Sequence, residues 1–374
     1  MHFWRNVLTL TMKELRSLLG DKILTFIIMF VFTVTIYTVA NGVAVDVKNA
    51  SVAVMDHDHS VLSYRIRDAI LPPMFKRPVE IDAAEADEGM NKGAYTFVLD
   101  IPPNFEAELL KGHQPKIQLL IDATAMTQAG VGQVYLSRIV SREVASFQGV
   151  PSGEQALPFE PVVHRLFNPN GQSEWHMSLM QVGNNVTLMA FILAGAAVIR
   201  ERERGTIEHL LVMPVNAAEL MLAKIFANGL VILLASLASI WFVVHLLIGT
   251  PINGSLAMFA VGEAVYLFSA ASLGILLATM APTMPQFALL MLPVHLVCLL
   301  FSGSASPREN MPQIAQQLTE YLPMTIFAAY NQDILFRDAD WSVLWPKLLI
   351  LALLGAAFLM LALSRFKKML EQQG

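Results

Sequence analysis

The sequence predicts a polytopic α-helical membrane protein with six transmembrane helices and a large α/β extracytoplasmic domain inserted between helices one and two. The 374 residues are 55% hydrophobic and only 15% charged, with a mean hydropathy of +0.53, which is too apolar for a soluble chain with a normally charged surface. Six runs are long enough to cross, as helices, a bilayer core about 30 Å thick. Residues 41–177 instead regain Pro, Gly, Asp and Glu, as expected of a folded domain outside the bilayer.

Residues 1–22 predict an amphipathic helix on the cytoplasmic surface of the membrane. Lys13, Glu14 and Arg16 lie off its apolar face. That face is formed by Phe3, Trp4, Val7, Leu8, Thr11, Leu15, Leu18 and Leu19. A cleaved signal peptide is the alternative, but a leader this long and periodic favours an interfacial helix followed by an uncleaved span.

The six apolar runs place transmembrane helix 1 at 23–40, helix 2 at 178–199, helices 3 to 5 within 225–303, and helix 6 with the C-terminal tail within 344–374. In detail they cover 23–40, 178–199, 225–248, 256–281, 287–303 and 344–363. Lys and Arg concentrate in cytoplasmic loops of membrane proteins. Here they are Arg5, Lys13, Arg16 and Lys22 before the first run, Arg200, Arg202, Arg204 and Lys224 between the second and third, and Arg365, Lys367 and Lys368 after the last. The sequence therefore predicts that both termini and the segment 200–224 are cytoplasmic.

The segment 41–177 predicts a periplasmic α/β domain. Three short β-rich runs, at 51–56, 95–102 and 116–123, are each followed by a helix-like segment, which gives a β-α-β-α order. The single cysteine, Cys298, lies inside a predicted span, so no intrachain disulfide can staple the domain.

The turn DHDHS, residues 56–60, contains two His and two Asp, which are residue types that bind zinc. Neighbouring side chains along a turn point apart, and no further His or Cys motif completes a site nearby. We therefore expect a polar turn in which Asp58 or Ser60 caps the next helix.

The charged segment RERER, residues 200–204, follows directly on the second run and continues it out of the membrane. Spacings of three residues predict ion pairs between Arg200 and Glu203 and between Glu201 and Arg204. Gly205 permits a bend after them.

A short amphipathic helix is predicted next. Thr206 can cap it with Glu208 in its first turn, and Pro214 ends it. Its apolar stripe consists of Ile207, Leu210 and Leu211. Asn216 and Glu219 have the spacing of a capping box that starts the helix leading into the third run. From these residues alone, the stripe fits docking into a partner protein and resting on lipid headgroups about equally well.

The stretch ERERGTIEHLLVMPVNAAELMLAKI, residues 201–225, resembles the signature of the ABC-2 type membrane permeases, the membrane-spanning half of type V ABC exporters. AVMDHDHS, YTFVLDIPPNFEAELLKG and IQLLIDAT are similar to the external domain of the bacterial drug-exporter-like branch of that family. The six runs, the insertion after the first run and the long loop at 304–343 also match the family's plan. The resemblance therefore covers nearly the whole chain and implies a bacterial inner-membrane transport permease.

The resemblance implies a division of labour between subunits. The chain contains no GxxxxGK[ST] phosphate-binding loop, so ATP and Mg are expected in a partner ATPase subunit and no cofactor in this chain. In the family, two permease chains pair, as a homodimer or with a paralogue, above two ATPase subunits. By that analogy, the ATPase-coupling residues are Arg204, Gly205, Glu208, Leu210, Leu211 and Glu219. The loop at 304–343 is expected to form short gating helices, and the external domain to offer a surface for a periplasmic adaptor protein.

Polar residues within apolar spans are costly and often functional. Asn184, Asn185, His245 and Glu263 fall in the outer half of the predicted membrane, and His295 lies beside the kink expected at Pro293. We expect Asn185, Glu263 and His295 to line a translocation pathway. The alternative is structural, since such groups also hydrogen-bond between helices.

Export of a drug-like or amphiphilic substrate is thus the leading function. A non-transporting membrane receptor or scaffold with an external ligand-sensing domain is the alternative, although a receptor has no need of a capped apolar helix between the second and third runs. A membrane hydrolase built on the Asp/His turn is disfavoured because no nucleophile and base are arranged together. The net charge of -5 argues against a nucleic acid partner.

Overall fold

The computed structural model describes residues 2–42, 49–122, 126–149, 172–203, 216–304, 308 and 311–371. The chain divides into two compact units, Met1–Val43 together with Glu174–Gly374, and Ala44–Ser173. The first unit contains the long apolar helices and the second contains the β-sheet, so we describe each by itself.

The first unit begins with helix α1, His2–Gly20, which matches the predicted amphipathic helix. Within the described residues, six helices that are long and apolar enough to cross a membrane follow, and each overlaps one predicted run. Spans one to six are Lys22–Gly42, Ser173–Glu203, Ala217–Leu247, Leu256–Met280, Met284–Phe301 and Trp341–Phe366. Asp21 starts span one, because its carboxylate accepts the backbone N–H groups of Ile23 and Leu24 at 3.1 Å.

Span two is the central helix of this unit. In the most apolar stretch of span two 83% of the residues are buried, against 17% in the corresponding stretch of span five. Gly195 allows span five to approach closely, because a Cβ at this position would lie 2.1 Å from Cζ of Phe287. Spans one and three each contain a π-helical segment, Val31–Thr35 and Ile240–Leu247. They are joined where the Ser239 hydroxyl donates to the Phe32 carbonyl at 2.5 Å.

The second unit contains a four-stranded sheet in the order β2-β1-β3-β4. Its strands are β1 Val52–Asp56, β2 Val79–Glu80, β3 Phe97–Ile101 and β4 Gln118–Ile121. Strand β1 pairs in parallel with β2 and β3, and β4 runs antiparallel to β3. The three predicted strands are confirmed as β1, β3 and β4.

The sheet is covered on both faces. The helices of this unit are α2 Val61–Asp68, α3 Ala83–Asn91, α4 Phe105–Leu110 and α5 Met126–Phe147. Helices α2, α4 and α5 contribute Leu62, Phe105 and Leu136 to the larger apolar core, and α3 contributes Ala86 to the smaller core on the opposite face. Residues on strand β1 are buried throughout, as expected for a strand covered on both sides.

In the described part of the chain between spans five and six lie two further helices, in the region predicted to hold short helices. Helix α6, Gln313–Thr319, exposes Ile314 and Leu318, whereas α7, Pro323–Leu335, is largely buried. Phe327 of α7 stacks on Tyr266 of span four with ring centroids 4.0 Å apart. Asp333 of α7 accepts from Arg337 at 2.8 Å and from Lys347 of span six. Helix α7 is therefore an integral part of the membrane unit and not a loose loop.

Candidate functional site

The predicted coupling segment connects spans two and three. Five of its six singled-out residues, Arg204, Gly205, Glu208, Leu210 and Leu211, lie outside the described residues, together with the predicted Glu201–Arg204 pair. The structure instead defines the two helix ends from which the segment leaves and to which it returns. Side-chain contacts fix both of these helix ends.

Lys224 is the central residue of this frame. Its Nζ lies 2.8 Å from Oε1 of Glu201, at the end of span two, and 3.1 Å from Oε1 of Glu14 on α1. The Lys224 side chain is only 2% exposed. A buried ammonium requires such partners, because an uncompensated charge out of water is strongly destabilising. One side chain thus joins α1, span two and span three.

Glu219, the remaining predicted coupling residue, lies in the interior of the membrane unit. It is 3% exposed, and its Oε2 accepts the backbone N–H of Asn216 at 3.0 Å, as the predicted capping box requires. Both carboxylate oxygens also accept from Asn6 Nδ2 of α1 at 3.4 Å. The side chain therefore fixes the start of span three against α1.

The last turn of span two is fixed on its other side by the turn between spans four and five. The Arg202 guanidinium donates to the Ala281 carbonyl at 3.2 Å, and Glu203 Oε1 accepts the backbone N–H of Met284 at 3.0 Å. The predicted pairing of Arg200 with Glu203 does not occur among the described contacts and stays a prediction. Glu203 instead satisfies a free N–H at the N-terminus of span five, where a carboxylate is favoured by the helix dipole.

Asn185, a predicted pathway residue, connects span two to span one. Its Nδ2 donates to the Val31 carbonyl at 2.7 Å and to the Thr35 hydroxyl at 2.9 Å, and its Oδ1 accepts from Gln181 at 2.9 Å. Both partners on span one lie in the π-helical segment, where the regular helical hydrogen-bond pattern is interrupted. Asn185 therefore has a structural partner for each of these polar atoms.

Glu263, the second predicted pathway residue, is fully buried in span four. Both of its carboxyl oxygens lie 2.6 Å from the Ser236 hydroxyl of span three, which is also 2.9 Å from the Leu233 carbonyl. A serine hydroxyl has a single hydrogen, so it cannot donate to all three acceptors at once. Glu263 therefore has its described partner on span three.

His295, the third predicted pathway residue, packs edge-on against Phe191 of span two with ring centroids 6.2 Å apart. Its Nδ1 is buried and has no hydrogen-bond partner among the residues that the structure describes. The three predicted pathway residues thus have separate neighbours on spans one, three and two. No described hydrogen bond links one of them to another.

Several buried polar contacts of the membrane unit were not predicted. Thr187 and Tyr266 join spans two and four through hydroxyl oxygens 2.5 Å apart, and the Ser304 hydroxyl donates to Asn184 at 3.2 Å. Lys347, the partner of Asp333, lies within a predicted apolar span, and that position was a signal that could have found the pair. Tyr266 gave no such signal, because tyrosine is common in membrane helices.

The DHDHS turn of the second unit is stabilised internally. Asp56 Oδ1 accepts the backbone N–H groups of Asp58 and His59 at 3.0 Å. Ser60 caps α2, as predicted, and Asp58 instead accepts the N–H of Glu106 at the start of α4. Among the described residues, no group of three or more His, Cys, Asp or Glu side chains has the arrangement to hold a metal ion.

Comparison with known proteins gives one consistent result. The sequence model of a family described as ABC-2 family transporter protein matches residues 22–364, which extend from the start of span one into span six. Inner membrane transport permease YhhJ of Escherichia coli (strain K12) is 43% identical over 369 residues, and the alignment covers 98% of both chains.

Two further relatives from Escherichia coli (strain K12) are more distant. Probable multidrug ABC transporter permease YbhR is 28% identical over 371 residues, covering 93% of this chain and 96% of the relative. Probable multidrug ABC transporter permease YbhS is 24% identical over 381 residues, covering 98% of both. The similarity therefore extends over nearly the full length of each relative.

Proposed function

The chain belongs to the ABC-2 transporter family, and on that premise we propose that it is the transmembrane permease subunit of an ATP-binding-cassette exporter. A separate ABC ATPase subunit supplies the energy, and ATP and Mg bind to that subunit. This chain contributes the translocation pathway and the segment through which the ATPase moves it.

The frame around Lys224 is the observation that carries this proposal. A segment that transmits force to the spans must be anchored rigidly at both ends, because a loose end would absorb the movement. Lys224 joins the end of span two to the start of span three, and Arg202 and Glu203 join span two to the turn before span five. Movement of the segment 204–215 would therefore be delivered to four spans at once.

Within this mechanism the predicted coupling residues divide into three groups. Leu210, Leu211 and Glu208 contact the ATPase, while Arg204 and Gly205 set the direction in which the segment leaves span two. Glu219 is buried, and its carboxylate already accepts hydrogen bonds from Asn216 and Asn6. It positions the end of the segment instead of touching the ATPase.

In the assembled transporter, both termini and the coupling segment are cytoplasmic and the α/β unit is extracytoplasmic. The concentration of Lys and Arg on one side of the spans supports this orientation. Two permease chains pair around a central pathway, as a homodimer or with a paralogue, and the α/β unit offers a surface for a periplasmic adaptor protein.

The transported substrate is drug-like or amphiphilic. The names of YbhR and YbhS, which describe probable multidrug permeases, support this class. Of the predicted pathway residues Asn185, Glu263 and His295, the last two remain proposed to line the pathway, and Asn185 is proposed to hold span one against span two beside it. His295 is the strongest candidate, because its buried Nδ1 has no hydrogen-bond partner among the described residues.

Co-purification tests the coupling proposal directly. The full chain is isolated from its native membranes in mild detergent, as wild type and as Leu210→Asp, and the accompanying proteins are identified. Leu110→Asp is the matched control, because Leu110 is 67% exposed on α4 of the α/β unit and the substitution adds the same charge there.

We expect an ABC ATPase to accompany the wild type and Leu110→Asp and to be lost from Leu210→Asp. Retention of the ATPase by Leu210→Asp would remove the segment from the interface. Absence of any ATPase from the wild type would favour the receptor or scaffold alternative.

A further inference from the structure

An open apolar groove runs beside α1, between spans three and four. It has a volume of about 310 Å³, which is at the lower end of the range for small-ligand pockets. Its walls include Thr11 of α1, Phe226, Gly229 and Leu230 of span three, and Leu267 and Phe268 of span four. Gly229 lies in its wall, where the absence of a side chain leaves room.

The groove offers nothing polar to an occupant. Thr11 carries the one polar side chain in its lining, and that hydroxyl donates to the Val7 carbonyl at 2.8 Å. Phe226 and Leu230, on its rim, are 42% and 43% exposed, and Leu234 continues the same face of span three at 60%. Because these residues belong to a membrane span, the surrounding medium is hydrocarbon, and the groove fits an acyl chain.

Helix α1 has three distinct faces. Val7, Thr11 and Leu18 pack toward the spans, and the next strip around the helix is apolar and exposed, with Leu8 and Leu19 at 68% and 66%. Arg5 and Arg16 border the far side of this strip, at i−3 and i+4 from Leu8 and Met12, and both are exposed. Since an α-helix is about 10 Å across, one lipid molecule can reach from the basic border to the groove.

The charge of α1 decides the kind of headgroup. Arg5, Lys13 and Arg16 are exposed, as is Lys22 at the start of span one. The carboxylates here are fewer: Glu14, which binds the buried Lys224, and the exposed Asp21 that follows α1. The exposed surface of α1 therefore carries a net positive charge, which attracts anionic lipid headgroups and gains nothing from neutral ones.

We propose that the groove binds an acyl chain of an anionic phospholipid whose headgroup is held by Arg5 and Arg16 on α1. The bound lipid fills the space between α1 and spans three and four. It stabilises the position of α1, which Asn6 and Glu14 connect to Glu219 and Lys224 at the base of the coupling segment.

Lipid binding is measured on the purified full chain. The protein in mild detergent is mixed with phosphatidylglycerol or with phosphatidylcholine of the same chain length, and retained phospholipid is counted by native mass spectrometry. Gly229→Leu fills the groove and should fold, because a Cβ at this position meets only Leu267 Cβ at 3.9 Å. Gly130→Leu on α5 is its control, since that position has open space around it.

We expect the wild type and Gly130→Leu to retain phosphatidylglycerol in preference to phosphatidylcholine, and Gly229→Leu to lose it. Arg5→Gln and Arg16→Gln, both on the surface and neutral for folding, should each weaken phosphatidylglycerol binding by about fivefold. Lys92→Gln, an exposed position on the α/β unit, should change nothing.

Equal retention of the two lipids by the wild type, or unchanged retention by Gly229→Leu, would overturn the proposal. Loss of self-association in Gly229→Leu without loss of lipid would assign the groove to a second copy of the chain and would overturn it as well. Neither ATPase nor substrate enters this measurement, so its failure would leave the proposed transport function untouched.

Discussion

The Nζ atom of Lys224 lies 2.8 Å from Oε1 of Glu201, and this ion pair joins the two helices between which the coupling segment runs. The same ammonium also binds Glu14, so the N-terminal helix is included in the frame. Because the frame is built from charges with little access to water, each member depends on the others. Removing the central ammonium should therefore leave both carboxylates without compensation.

Lys224→Met should destabilise the membrane unit. The substitution leaves two poorly hydrated carboxylates without their cation. Removing one member of a buried ion pair lowers the free energy of unfolding by about 3 kcal/mol. The apparent unfolding temperature in detergent should fall, and substrate-stimulated ATPase activity of the complex should fall with it.

Two controls isolate the charge effect. Lys92→Met on the α/β unit removes an exposed lysine and should be neutral. Adding Glu14→Gln and Glu201→Gln to Lys224→Met should restore part of the lost stability, because no unpaired charge then remains. An unfolding temperature of Lys224→Met equal to that of the wild type would show that the cluster is not energetically coupled.

Gly195→Ala should separate spans two and five. The new Cβ would lie 2.1 Å from Cζ of Phe287, and overpacking of this kind costs about 1 to 3 kcal/mol. Thermal unfolding of the single variant, and of the double variant with Phe287→Leu, measures the effect. The smaller side chain in the double variant should recover most of the loss.

Gly130→Ala is the matched control for Gly195→Ala. A Cβ at Gly130 has no atom within 4 Å, so the change should stabilise α5 by up to about 1 kcal/mol through helix propensity alone. Equal effects of the two alanine substitutions would contradict the close approach of the spans.

His295→Leu should change which substrates are exported without lowering thermal stability. The imidazole Nδ1 has no described partner, so its removal breaks no hydrogen bond that the structure shows. Export of a panel of amphiphilic compounds from cells, measured beside the unfolding temperature of the purified protein, separates the two effects. An unchanged export profile across the panel would exclude His295 from the pathway.

Asn185→Ala should behave in the opposite way. It removes the donor to Val31 and Thr35 of span one and leaves those acceptors without that partner, which costs about 1 to 3 kcal/mol. We therefore expect a lower unfolding temperature and a general loss of export. A selective change in the export of one substrate, at wild-type stability, would instead support a direct role in the pathway.

Glu108 of the α/β unit should remain ionised in acid. Hydrogen bonds from Lys111 and His113 lower its pKa from 4.5 to about 2. Because folding lowers the pKa of Glu108, the ionised carboxylate stabilises the folded chain. This contribution to stability is complete above pH 4.5 and disappears as the pH falls from 4.5 to about 2. Carboxyl ¹³C NMR titration of the selectively labelled chain measures this pKa.

Lys111→Met tests the cause of the lowered value. It removes the hydrogen bond with the largest effect, so the pKa of Glu108 should return toward 4.5. Lys92→Met, which removes an exposed lysine elsewhere on the α/β unit, is the control and should leave the pKa of Glu108 unchanged. An unchanged Glu108 pKa in Lys111→Met would assign the shift to another group.

The spans and the main strands were predictable because both rest on local signals. A bilayer demands about 20 apolar residues of helix, and buried strands such as Val52–Asp56 form compact β-rich runs. Strand β2 was missed because its two residues are exposed and have no pattern. Helix α3 was missed although Asp82 and Glu85 form a capping box, a signal that the sequence does contain.

The candidate site was predictable only in part, because its contacts are long-range. Asn216 and Glu219 were paired correctly from a spacing of three residues, which a helix start enforces. The partners of Lys224 and Glu203 lie far away along the chain, on α1 and at the start of span five. Spacing rules favoured a local partner for Glu203, whereas the folded chain brings a free backbone N–H of Met284 to it.

The contact between Glu14 and Lys224 also fixes an order of events during synthesis. The two residues are 210 positions apart, so at about 5 to 20 residues per second the ribosome needs roughly 10 to 40 s to make Lys224 after Glu14. During that interval the nascent N-terminal helix has no ammonium from span three to receive its carboxylate. The helix can therefore form all of its final contacts only after the whole α/β unit and the second span have been made.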